Sequence, residues 1–159
     1  MNIFYLNKDP VKAARVQYNK HVVKMVLESA QMLCTAHHLL CPDESDNIPY
    51  KIAHKNHPST LWVRQSADHY AWLYYHMIAL GEEYKRYCKE HLTIKKCKDV
   101  LAKLPGGIFH VGFEEPPQCM PDEYKVEGDC VSAYWNYYEN EKHKVKGKNE
   151  QKIIRPHVE

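Results

Sequence analysis

The sequence predicts an all-α protein: a single compact domain of three to four helices, two of them long, with a short extended segment at the amino terminus and a proline-rich loop. Three observations predict it. Two long stretches carry small and apolar residues at three- and four-residue steps, each is headed by a capping residue or proline, and no alternating strand pattern occurs beyond residues 2–6. At 159 residues and 44% hydrophobic content, the chain can bury one core without help from metals or disulfides.

The first element is the apolar run MNIFYL, followed by Asn7 and then Asp9-Pro10, a cap and a proline suited to the first helical position. From there Val11, Ala14, Tyr18, Val22, Met25, Val26, Ser29, Leu33 and Ala36 predict one helix to about residue 40, with a bend near Asn19, ended by Cys41-Pro42. Residues 42–57 are turn-rich and read as a loop. His57-Pro58-Ser59-Thr60 opens the second long helix, its hydroxyls suited to capping, and Leu61, Trp62, Ser66, His69, Tyr70, Leu73, Met77, Leu80 and Tyr84 carry it to about residue 91. Thr93 caps a shorter helix over 94–104, stopped by Pro105-Gly106-Gly107. Proline-rich sequence around Glu114-Glu115-Pro116-Pro117 resists regular structure, and a long ordered loop of that kind often borders a site. Asp129 caps a last helix, 130 to about 143, that carries Tyr134, Trp135, Tyr137 and Tyr138. The helical domain is thus expected over 1–143, followed by a basic tail over 144–159.

A net charge of +2 neither demands nor forbids a nucleic-acid partner, but its distribution says more. Lys142, Lys144, Lys146, Lys148, Lys152 and Arg155 face only Glu150 near the carboxyl end, a set able to neutralise phosphates or simply to lie solvated. Twelve tyrosines and three tryptophans supply faces that stack on bases as readily as they fill a core. The six cysteines form no CxxC pair and the amino terminus has no secretory profile, so reduced thiols and a cytoplasmic location are expected, host cytoplasm if the protein is viral. No apolar run approaches the roughly 20 residues of a membrane span. Cys34, His37, His38 and Cys41 are the densest metal-ligand types, but a second pair at zinc spacing is missing, so neither metal nor cofactor is expected. There is no GxSxG elbow and no phosphate-binding glycine loop.

Two clusters could carry chemistry. In KHVVKMVLESAQ, residues 20–31, His21 and Glu28 stand seven residues apart with Lys24 between them and Gln17 one turn before, so they share one helix face with His21 and Glu28 about 10 Å apart. That face is either a solvated edge with a Lys24–Glu28 pair or the floor of a site that handles protons and anions. In KNHPST, residues 55–60, Lys55, Asn56 and His57 precede a helix amino terminus with Arg64 one turn on; ordinary capping explains the proline and hydroxyls, and a phosphate cradle would explain the rest.

These motifs together resemble the small all-helical pyrimidine-dimer DNA glycosylases typified by bacteriophage endonuclease V. That family has a His on its first long helix followed seven residues later by the catalytic Glu, matched by His21 and Glu28; its cellular relatives open the next long helix with Asn-His-Pro, matched by Asn56, His57 and Pro58. Two adjacent aromatics, a spacer and two tyrosines near the carboxyl end are matched by Tyr134, Trp135, Asn136, Tyr137 and Tyr138. Leu27 stands where the family has an arginine, and the bulky Asn2 disfavours removal of Met1, which would itself supply the amine.

The resemblance implies a helical protein that kinks damaged duplex DNA, flips bases out, and attacks the sugar carbon with an amino-terminal amine. α-Amines suit the role because, as a class, they titrate near pH 8 and are far more often neutral at pH 7 than lysines. Glu28 would move the protons of Schiff-base formation and β-elimination, His21 would position the sugar or the Glu, Lys24, Lys55, Asn56, His57 and Arg64 would meet DNA, and the Tyr134–Tyr138 aromatics would touch the lesion strand. The alternative is a non-catalytic accessory protein, viral or otherwise, that binds a nucleotide or nucleic acid on the same scaffold; a helical protein-interaction module would leave Glu28 without a task. The oligomeric state is open.

Overall fold

A computed structural model describes residues 1–142; the expected tail over 144–159 lies outside the described residues. The described chain forms α1 (Pro10–Arg15), α2 (Asn19–Leu40), α3 (Pro58–Gln65), α4 (Ala67–Lys85), α5 (Leu92–Leu101) and α6 (Cys130–Tyr137), with single 3-10 turns at Pro42–Glu44 and Asp122–Tyr124 and a π-helical turn over Tyr138–Lys142. The all-α class holds, and the helices number six among the described residues where three to four were expected.

The finer division has local causes. The expected first helix breaks at Val16–Tyr18, where Tyr18 turns extended (φ −60, ψ 145) and its N–H leaves the helix to donate to the Tyr138 hydroxyl at 3.0 Å. The expected second helix breaks at Ser66, which is extended (φ −151, ψ 143) and whose Oγ accepts from Asp68 N, so a residue read as part of the apolar stripe is a cap. Capping itself is shared differently from expectation. Asp9 and Asp129 cap as their types predict, but α3 and α5 are capped by imidazoles: Nδ1 of His57 accepts from Ser59 N and Nδ1 of His91 from Thr93 N, both at 3.1 Å. The Thr93 hydroxyl instead meets the Tyr50 hydroxyl at 2.9 Å.

α2 and α4 pack along one another as the central pair, with α1 on α4 and with α3 and α5 against both. Met32 and Leu33 of α2 and Tyr70, Leu73, Met77 and Leu80 of α4 are all buried in the core. Into this pair threads the amino-terminal segment, with Ile3 to Leu6 all buried. It is not extended throughout, as expected, because Phe4 adopts a left-handed conformation (φ 57) and Leu6 N donates back to Phe4 O at 2.8 Å.

The proline-rich loop lies over the start of α4 and is tied to it. Trp62 Nε1 donates to Glu114 O, Glu114 N to His69 Nε2, Ser66 Oγ to Gly112 O and Ala67 N to Phe109 O, all within 2.8–2.9 Å. Gly112, at φ 101, turns the chain back between these anchors in a region L side chains rarely adopt. The loop then delivers Cys119 to the side of α2 that carries Glu28. Among the described residues no helix is long and apolar enough to cross a membrane.

Candidate active site

The α2 face read from sequence meets the chain's own beginning. The Met1 α-amine lies 3.3 Å from Glu28 Oε1, and the Met1 side chain is packed against the core with 2% of its surface exposed. Asn2 sets that position. Its Oδ1 accepts from Ile3 N (2.7 Å) and Phe4 N (3.2 Å), while its Nδ2 donates to Cys119 O (3.0 Å), so the first residues are folded back and pinned to the proline-rich loop.

Met1, Lys24, Glu28, His57 and Tyr137 line one cavity of about 370 Å³, together with Asn2, Phe4, Met25, Cys119 and Lys142. Glu28 is 8% exposed, and its second oxygen, Oε2, is buried with no hydrogen-bond partner among the described residues. A buried carboxylate oxygen left unpaired is costly, and it leaves Glu28 with acceptor capacity that the described residues do not use. His57 is neutral at pH 7: burial lowers its pKa first, then the charge of the α-amine and His54, against an opposing pull from Glu28. With Nδ1 accepting from Ser59 N, its proton sits on Nε2, giving the cavity an uncharged donor.

His21 opens onto a second cavity of about 380 Å³ with Lys20, Lys24, Glu141 and Lys142, so Lys24 and Lys142 border both. The ring stacks on Phe4 (centroids 4.7 Å apart, 18° between planes), and its Nδ1 meets the Tyr138 hydroxyl at 2.5 Å. Because that hydroxyl already accepts the Tyr18 N–H, its own proton points to Nδ1, which puts the imidazole proton on Nε2. Burial, then the charges of Lys20, Lys142 and Lys24, push the His21 pKa down to about 3, so the ring is neutral.

The carboxyl-terminal aromatics depart from expectation. Tyr134 and Tyr138 are fully buried and cannot stack on a DNA strand. They hold the site from behind: Tyr134 OH donates to Pro117 O and accepts from Cys119 N, Trp135 Nε1 donates to Leu6 O, and Tyr138 fixes Tyr18 and His21. Of the four, Tyr137 alone reaches the amine cavity, where Lys142 Nζ sits 4.7 Å from its ring centroid. Lys55 and Asn56 are exposed in the turn before α3 and outside both cavities. Arg64 Nη1 donates to Thr60 O of its own helix at 3.4 Å, and the Ser59 amide expected to cradle phosphate is taken by His57.

Sequence reasoning missed Cys119, Asn2, Lys20 and Lys142 as neighbours of the site. Only Lys142 left a trace, four residues after Tyr138 on the same helical face, and it was counted with the tail. Another concavity, of about 850 Å³, lies between α1 and the end of α4, but its Glu83 and Arg86 pair with each other at 3.2 Å. Among the described residues, the amine cavity brings together the Glu28 carboxylate, a primary α-amine and two lysine ammoniums, a set of groups suited chemically to imine formation beside an anion. Comparison with protein-family models, curated proteins and solved structures found no match for this chain.

Proposed function

We propose that this protein is a DNA-repair glycosylase with associated AP-lyase activity on pyrimidine-dimer or related base lesions, acting through an imine formed by the Met1 α-amine. The observation that carries the reading is the 3.3 Å contact between that amine and Glu28 Oε1 at the wall of an open cavity.

In this reading the ammonium yields a proton to Glu28 and the freed nitrogen attacks C1′ of the damaged nucleotide. The bond from C1′ to the base breaks and the base leaves with a proton. The sugar ring then opens, its ring oxygen taking a proton, to leave a protonated imine at C1′. Glu28 removes a C2′ proton; the electron pair forms the C2′–C3′ double bond and expels the 3′ phosphate. Water hydrolyses the imine and restores the amine. Glu28 suits each transfer because one oxygen touches the nucleophile while the other is unpaired. The neutral Nε2–H of His57, with Lys24 and Lys142, would hold sugar or phosphate oxygens without taking the proton Glu28 moves.

Borohydride reduction in the presence of duplex DNA carrying an abasic site or a cyclobutane dimer tests this. A covalent adduct whose mass maps to the Met1 peptide is expected. With Glu28→Gln, strand cleavage should slow by roughly 10²–10⁴-fold. No adduct from protein whose amino-terminal mass shows an unblocked Met1, together with DNA affinity unchanged in Glu28→Gln, would replace this reading with a nucleic-acid binding protein.

A further inference from the structure

The two cavities on the α2 face share a wall. Lys24 and Lys142 line both, and Phe4, which lines the amine cavity, stacks on the His21 ring that lines the other. Lys142 is held there by aromatic faces, its Nζ 4.7 Å from the Tyr137 centroid and 6.0 Å from that of Phe4. The His21 cavity therefore gathers three ammoniums, Lys20, Lys24 and Lys142, against one carboxylate, Glu141, whose Oε1 accepts from the Tyr124 hydroxyl at 3.4 Å.

His21 is 6% exposed, and Tyr138 holds its proton on Nε2, for which the described residues offer no partner. An uncharged, pre-oriented N–H ringed by ammoniums is matched to a phosphate, which offers several acceptor oxygens and negative charge at once. A protonated imidazole there would be repelled by the same lysines, and a ring with its proton on Nδ1 would turn a lone pair toward the anion. The tyrosine excludes the second arrangement. Along α2, His21 and Glu28 are two turns apart, about 10 Å, with Lys24 near the midpoint.

We infer that the joined cavities form a receptor for phosphorylated aldehydes as small molecules, with the carbonyl carbon at the Met1 amine and the phosphate at His21, Lys20, Lys24 and Lys142. This rests on the reading of Met1 as the nucleophile and adds to it a recognition unit that needs no duplex, base or second strand. The covalent step is ordinary imine formation: the amine nitrogen bonds to the aldehyde carbon, the carbonyl oxygen leaves as water, and the protons come from the amine.

4-Formylphenyl phosphate and 4-methoxybenzaldehyde make a matched pair of probes, both aromatic aldehydes with a para oxygen substituent that cannot close on the carbonyl, and only the first carries a phosphate. Each is mixed with the full chain, reduced with borohydride, and the labelled peptides are quantified by mass. Met1 should be labelled at least about tenfold faster by the phosphorylated probe, the size expected of charge-assisted hydrogen bonds to one anion. Inorganic phosphate should erode that advantage. In the Lys20→Ala/Lys142→Ala double variant, confirmed as folded by circular dichroism and urea unfolding because an unfolded chain would also label without preference, the ratio of the two rates should fall close to one; a tenfold ratio retained in that folded variant overturns the phosphate site. Equal labelling of Met1 by both probes in the unaltered chain overturns the phosphate site and leaves the imine reading standing. Labelling of lysines with Met1 untouched overturns both.

Discussion

Replacing Tyr138 with phenylalanine removes one oxygen from the fully buried ring that joins α6 to the head of α2. The ring itself still fits, and its stack on Tyr18, with centroids 4.6 Å apart and 13° between planes, is preserved. What is lost is the acceptor for the Tyr18 N–H at 3.0 Å and the donor to His21 Nδ1 at 2.5 Å. Stranding a buried N–H costs about 1–3 kcal/mol, and the second bond adds about 0.5–1.5 kcal/mol, so a loss of roughly 3 kcal/mol is expected. For a chain of this size that corresponds to a fall in Tm of about 6–12 °C. Urea unfolding followed by circular dichroism should show a lower midpoint with an unchanged slope, as for a change confined to the native state. Long-range ¹⁵N–¹H correlation of the histidines supplies the second readout. Unaltered protein should show His21 neutral with its proton on Nε2, and Tyr138→Phe should shift that pattern. A stability change within about 0.5 kcal/mol, the ordinary range for an inconsequential substitution, or a His21 proton found on Nδ1 before any mutation, refutes the reasoning.

Three further outcomes follow from other contacts. Gly81→Ala would normally favour a helix interior by about 1 kcal/mol, but here the new Cβ would fall 2.5 Å from Ile94 Cγ1 and 2.8 Å from its Cδ1. Overpacking costs about 1–3 kcal/mol, so a net loss in urea midpoint is expected, whereas in an Ile94→Ala background the same Gly81→Ala change should raise the midpoint relative to Ile94→Ala alone; stabilisation by Gly81→Ala in the unaltered chain contradicts the packing of α4 on α5. Stability should be flat above pH 6.5 and fall toward pH 4, because His21 (pKa about 3) and His76 (about 4) are held below the usual 6.5 mainly by burial, and the unfolded chain binds their protons first. Each should cost about 2 kcal/mol by pH 5, and His37, also lowered to about 4 chiefly by burial and no more exposed than His21, should add a comparable loss; a constant urea midpoint from pH 7 to 5 contradicts this. Asn2→Leu keeps a bulky second residue and so the initiator Met, but cuts the bonds to Ile3, Phe4 and Cys119. Borohydride trapping should slow by about 10–100-fold, as for a nucleophile displaced by an ångström or so; an unchanged rate would mean that Asn2 does not position the amine.

Helix class, the Asp9 and Asp129 caps and the polar face of α2 that carries His21, Lys24 and Glu28 were legible because each is a local pattern. The breaks were not. Tyr18 leaves the helix because a hydroxyl 120 residues away takes its N–H, and no window of neighbouring sequence contains that event. Ser66 was legible in principle, as a serine two residues before Asp68, but its place at helical spacing among Trp62, His69 and Tyr70 masked it. Imidazole caps escaped notice because hydroxyls and carboxylates are the usual ones and both stood close by. Among the aromatics, the spacing Cys130, Tyr134, Tyr138 marks one inward helix face, and it separates the buried tyrosines from the half-exposed Tyr137 more reliably than the resemblance did. Glu28 stood out as a polar residue beside an apolar stripe; Cys119 and Asn2 did not, since only the fold of the loop and of the first residues brings them there.

The amine that meets Glu28 is a main-chain atom, and every amino acid at position 1 would carry one. Alanine scanning is therefore blind to it: a substitution alters the side chain packed behind and leaves the nitrogen in place. Only lengthening the chain or acylating its end removes the group, so an affinity tag fused ahead of residue 1 would silence the proposed chemistry while leaving the rest of the polypeptide unchanged, and one fused behind residue 159 would not.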